Sequence, residues 1–124
     1  MKIRILKNSL RFRLKQQDVH EFEQQGKIME MLEFGEEPKD QIGFGLKLST
    51  GKSLSVSFNS NTTIVHVPKS IADEWTGTNI VGFNGTIDTG MGRTIEVLVE
   101  KDFKCLDGRE EENEGSYPNP KESC

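Results

Sequence analysis

The stretch Ser53-Leu-Ser-Val-Ser-Phe-Asn-Ser-Asn-Thr-Thr-Ile-Val-His-Val-Pro-Lys-Ser-Ile-Ala-Asp-Glu-Trp75 holds the repeating plan of the chain. Leu54, Val56 and Phe58 alternate with serines, the period of a strand with one apolar face. Asn59 to Thr62 is a polar turn, and Ile64 to Val67 is a β-branched run suited to a second strand. Pro68 stands where a first helical turn tolerates its missing N–H, and Ile71, Ala72 and Trp75 form the apolar face of a short helix ended by Gly77. Ile80, Val81 and Phe83 follow, then a glycine-rich link, then Ile95, Val97 and Val99 in alternation.

Upstream the same order of elements appears. Ile3 and Ile5 alternate with Lys2 and Arg4, and Leu10, Phe12 and Leu14 with Arg11 and Arg13; Lys7-Asn8-Ser9 between them reads as a hairpin turn. Gln16 to Gln25 carries Val19 and Phe22 on a polar background and stops at Gly26, which predicts a short helix with a glycine C-terminus. The apolar run Ile28, Met31, Leu32, Phe34 breaks at Gly35 to Asp40, and Ile42, Phe44, Leu46 and Leu48 alternate up to the turn Thr50-Gly51-Lys52. At an offset of 53 residues Phe12 meets Val65, Leu14 meets Val67, Phe22 meets Trp75, Ile28 meets Val81 and Leu46 meets Val99; Asn8/Asn61, Glu21/Glu74 and Ile42/Ile95 are identities.

The expected fold is therefore mostly β (α+β): a small pseudo-two-fold barrel in which two ββαββ units interlock, each closing the apolar face the other leaves open, with two short helices. One domain is expected over residues 1–104, with half-units 1–50 and 53–104, followed by an acidic tail over 105–124. Trp75 falls in the core on this reading, so Trp75→Ala should cost about 3–5 kcal/mol.

Composition narrows the class. The 124 residues suffice for one small core, with 33% hydrophobic and 29% charged residues. No apolar run exceeds three residues, far from the ~20 that span a bilayer, and Met1 to Lys15 lacks the apolar core of a secretory signal. Cys105 and Cys124 are the only cysteines, fewer than a small secreted domain uses, so a cytoplasmic location is expected. The net charge of −4 hides an asymmetry: residues 1–15 hold six cations and no acid, so the remainder sums to −10. Residues 105–124 contribute −4 of this, with six acids against Arg109 and Lys121, and bury too little apolar surface to order themselves.

Two resemblances attach to these residues. Ile64 to Trp75, with its strand, Pro68-Lys69-Ser70-Ile71 and helix opening, looks like the AbrB/MazE type of swapped-hairpin barrel, and Ile3 to Leu14 resembles the Asn-Ser hairpin of MazE-like antitoxins. The resemblance implies a barrel whose basic hairpin contacts DNA, although the two motifs lie in different halves here. Met1 to Ile5, Asn8-Ser9, Arg11 to Leu14, Cys105-Leu106-Asp107 and Pro118-Asn119-Pro120 together resemble an uncharacterised bacterial family of short proteins, a domain of unknown function that supplies no activity.

Candidate chemistry is sparse. Arg4, Lys7, Asn8, Arg11 and Arg13 would present phosphate-binding donors if they share one outer face, the alternative being a solvated face that balances the acidic remainder or docks the acidic tail. Gly90 and Gly92 with Arg93 could form a backbone nest for an anion, although hairpin turns explain these glycines better and no P-loop or dinucleotide fingerprint is present. Cys105 offers a nucleophile and His20 or His66 a base, but no activating motif surrounds the cysteine. Two His and two Cys form no metal-ligand spacing, so no catalytic residues, metal or cofactor are assigned. The expected function is a non-enzymatic binding or interaction module for a protein or small ligand, with a MazE/AbrB-like DNA-binding or regulatory protein that uses the basic N-terminal hairpin as the alternative.

Overall fold

The computed structural model describes residues 1–103 and 115–118. Within them the chain runs β1 (Lys2–Leu6), β2 (Ser9–Leu14), α1 (Gln16–Gln25), β3 (Lys27–Glu33), a 3-10 turn at Pro38–Asp40, β4 (Gln41–Ser49), β5 (Ser55–Asn59), β6 (Thr62–Pro68), α2 (Lys69–Gly77), β7 (Gly82–Gly90) and β8 (Arg93–Lys101). Helix α1 ends where its sequence says: Gly26 takes φ +70° and returns its N–H to the Phe22 carbonyl at 2.8 Å. Pro68, expected inside the first helical turn, instead closes β6 and serves as the N-cap of α2, while Gly77 is the last helical residue.

The eight strands form two four-stranded sheets, ordered β1-β2-β8-β7 and β3-β4-β6-β5. Each ββαββ unit gives one hairpin to each sheet, and the hairpins meet through a parallel central pair, β2 with β8 and β4 with β6. The interlocking is as expected, but the strands do not close into a barrel. Each inner strand already has its hairpin mate and one parallel partner, and the edges β1, β7, β3 and β5 stay unjoined among the described residues. The helices fill the end of the core instead, where the rings of Phe22 and Trp75 lie 6.3 Å apart.

The two units correspond in register as well as in order. Phe12 lies opposite Val99 in the first sheet, and Val65 lies opposite Leu46 in the second, each pair displaced by the same 53 residues. The correspondence shifts at one place. Ile28 lies opposite Leu46, whereas Phe83, not Val81, lies opposite Val99, because the link after α2 is longer than the link after α1. Val81 is used elsewhere: its carbonyl accepts the Trp75 Nε1–H at 3.0 Å, and Phe83 packs edge-on against the Trp75 ring at 5.2 Å. The glycine-rich segment is likewise mostly strand, since Gly82 to Gly90 form β7 and only the residues around Met91 turn. Gly82 is needed there, because a Cβ would sit 2.3 Å from the Val99 carbonyl oxygen.

One core joins the layers. Leu10, Phe12, Leu14, Val97 and Val99 of the first sheet, Ile28, Leu46, Val65 and Val67 of the second, and Phe22, Ala72 and Trp75 of the helices are all buried together, with no buried charge among them. At its margin the Met1 ammonium lies 3.1 Å from Asp18 Oδ2 and 3.0 Å from Glu30 Oε1. Burial works against that charge, but the hydrogen bonds to Glu30 and Asp18 outweigh it and raise the amine's pKa. Among the described residues no helix is long and apolar enough to cross a membrane.

Candidate functional site

Because Leu10, Phe12 and Leu14 point into the core, their neighbours Ser9, Arg11 and Arg13 must point out, and the same alternation turns Lys2, Arg4 and Leu6 outward on β1. The register then assembles three rows across the outer face of the first sheet. Lys2, Arg13, Glu100 and Gly82 form one row, Arg4, Arg11, Leu98 and Asn84 the next, and Leu6, Ser9, Glu96 and Thr86 the third. The long arginines beside short Ser9, Asn84 and Thr86 leave an open groove of about 790 Å³, with Arg4, Leu6, Arg11, Asn84, Thr86 and Glu100 among its walls.

The charges on this face are unequal. Arg11 places Nε and Nη2 each 2.7 Å from Glu100 Oε1, with both side chains largely buried, so much of its charge is already met. Lys2 Nζ lies 3.1 Å from Asp102 Oδ2. The Lys2 hydrogen bond, opposed by desolvation and reinforced by the fields of Lys2, Arg13 and Lys15, holds the Asp102 carboxyl below its usual range. Arg13 is different: its Nε is buried and has no acceptor among the described residues.

Of the residues singled out for phosphate, Arg4, Arg11 and Arg13 do share one face. Lys7 and Asn8 sit at the hairpin tip beyond it, with Lys7 at φ +53°. The Asn8 amide donates to the Thr94 carbonyl and its own carbonyl accepts the Glu96 N–H at 3.1 Å, so Asn8 joins β2 to β8. Gly90, Gly92 and Arg93 lie at the same end of the sheet. Gly90, Met91 and Gly92 all have positive φ, the run of a tight hairpin turn and not the right-left alternation of a nest, and the Gly90 N–H donates to Asp88 Oδ1 at 2.8 Å. Glu96, Leu98, Glu100, Asn84 and Thr86 complete the face and were not singled out from the sequence. Their alternation signals an outward face, but nothing local places it beside residues more than 80 positions earlier.

The outer face of the second sheet has the same backbone and different chemistry. Ser57, Ile64 and His66 stand where the first sheet has Arg4, Arg11 and Arg13, and Met29 and Met31 lie over Gly45 and Gly43. Ser57 Oγ and His66 Nε2 are 2.8 Å apart on this open face. His20 is exposed on α1, and Cys105 lies outside the described residues. Among the described residues no three His, Cys, Asp or Glu side chains are grouped to hold a metal ion.

Comparison with the curated proteins and with the solved structures gave no match. The model of a family of unknown function, DUF7009, matches residues 1–121, and the chain belongs to that family.

Proposed function

We propose that this chain is a non-enzymatic, cytoplasmic binding module whose partner is an acidic, partly apolar protein segment received on the outer face of the first sheet. The observation that supports this most is the groove itself, which lines Arg4 and Arg11 against Leu6 and Leu98 on one sheet face. Arg4 beside the aliphatic side chains of Leu6 and Leu98 suits a peptide that alternates carboxylates with aliphatic side chains. Glu96 and Glu100 on the same face weigh against a polyphosphate backbone, which gains from uninterrupted positive charge.

The second reading is a MazE/AbrB-like DNA-binding regulator. The exchange of hairpins between two ββαββ units favours it, and the units would then be copies of one repeat. Fluorescence anisotropy separates the two. A labelled peptide of alternating Glu and Leu should bind the full chain in a salt-sensitive way, and Arg4→Glu should weaken it at least tenfold. Tighter binding of a mixed duplex DNA pool than of the peptide would overturn the first reading in favour of the second.

A further inference from the structure

We infer that the acidic stretch 105–124 of this same chain is a built-in ligand of the first sheet's outer face, held along the Lys2, Arg4 and Arg13 edge and competing with any external acidic partner. The inference rests on the reading of that face as an acidic-segment site.

Three observations carry it. First, Arg13 is under-satisfied: the Asp102 carboxylate whose field it shares is hydrogen-bonded to Lys2 instead. Arg13's register neighbour Glu100 is engaged by Arg11, and its buried Nε–H has no acceptor among the described residues, a costly state for a guanidinium unless an anion arrives. Second, the chain leaves the sheet at that corner. Lys101 lies opposite Leu14, the Asp102 N–H donates to the Leu14 carbonyl at 2.7 Å, and Asp102 pairs with Lys2. Third, the composition and reach fit. Residues 105–124 carry a charge of −4, with Glu110, Glu111 and Glu112 consecutive. At ~3.3 Å per extended residue, the step from Asp102 to Glu110 reaches up to about 26 Å. Four strands at ~4.8 Å spacing span about 14 Å, so these carboxylates can cross the whole face. Tethering places them at an effective concentration on the order of millimolar, enough for weak ion pairs to hold.

The test uses the full chain carrying Cys105→Ser and Cys124→Ser, with Asn113→Cys bearing a nitroxide. Paramagnetic broadening of backbone amides is read at about 20 and about 500 mM NaCl, which lengthen and shorten the Debye length. Broadening should concentrate on β1 and β2 at low salt and fade at high salt. In parallel, the triple change Glu110→Lys, Glu111→Lys, Glu112→Lys should tighten the external Glu/Leu peptide at least tenfold. Broadening spread evenly over both outer faces, or insensitive to salt, overturns the inference. If that occurs while the peptide still binds and Arg4→Glu still weakens it, the binding reading stands without its internal competitor; if the peptide does not bind either, both fall.

Discussion

Asn8 and Asn61 do the same work in the two units. Each ends a two-residue turn and accepts an N–H from the neighbouring parallel strand, Asn8 from Glu96 at 3.1 Å and Asn61 from Gly43 at 2.9 Å. Each also sends its amide across to a further carbonyl, of Thr94 and of Lys39. This explains why asparagine is one of the few identities between the units. Ser60 and Asn61 both have positive φ, the geometry of a type I′ turn. Asn61→Ala should therefore cost about 1–2 kcal/mol, because alanine resists the left-handed region, whereas Asn61→Gly should cost less despite losing the same side-chain hydrogen bond. Urea midpoints of the two variants decide it; equal losses would mean that the amide, not the backbone, matters.

At the level of elements, the glycine after Gln25 was enough to place α1 to the residue, and the alternation of Leu10, Phe12 and Leu14 placed β2 to within one, since Ser9, read as part of the turn, opens the strand. The segment after Trp75 was not legible in the same way. Apolar Val81 matches Ile28 by type, and only the tertiary hydrogen bond from Trp75 shows that Val81 belongs to the link and Phe83 to the strand. The glycines there were also opaque, because a residue kept small for close packing and one kept free for a turn look identical in sequence. Substitution separates them. Gly82→Ala should cost about 1–3 kcal/mol through its clash with the Val99 backbone, the usual scale of overpacking. Gly77→Ala, in α2 with no atom within 4 Å of the added methyl, should instead stabilise the chain by about 0.5–1 kcal/mol. Thermal denaturation of both should show opposite shifts.

Across the whole molecule, the basic start was readable as a charge excess, but its division was not. Arg11 finds Glu100, and Lys2 finds Asp102, only after β2 and β8 have paired, so no local pattern could tell a spent arginine from one still lacking a partner. The Lys2 pairing has a pH signature. Since the Asp102 carboxyl titrates lower in the folded chain than in the unfolded one, its stabilising contribution is present above the ordinary carboxylate range and is lost as pH falls through the folded value. Asp102→Asn should weaken the fold at neutral pH, and its denaturation midpoint should converge on that of the unmodified chain in acid. The shared core has a second consequence. Residues 1–52 and 53–124, prepared separately, should each lack a cooperative transition, because each leaves its apolar face open. Mixed, they should form a one-to-one complex with Trp75 shielded and its emission shifted to the blue. A cooperatively folded 1–52 monomer would refute this. The parallel partnership of β2 with β8 also sets a timetable for synthesis. Strand β2 leaves the ribosome more than 80 residues ahead of β8, so Leu10, Phe12 and Leu14 must wait, uncovered, until their parallel partner follows. The second sheet, whose β4 and β6 are close neighbours in the chain, can assemble during that interval, which makes the waiting β2 hairpin the natural point of chaperone capture.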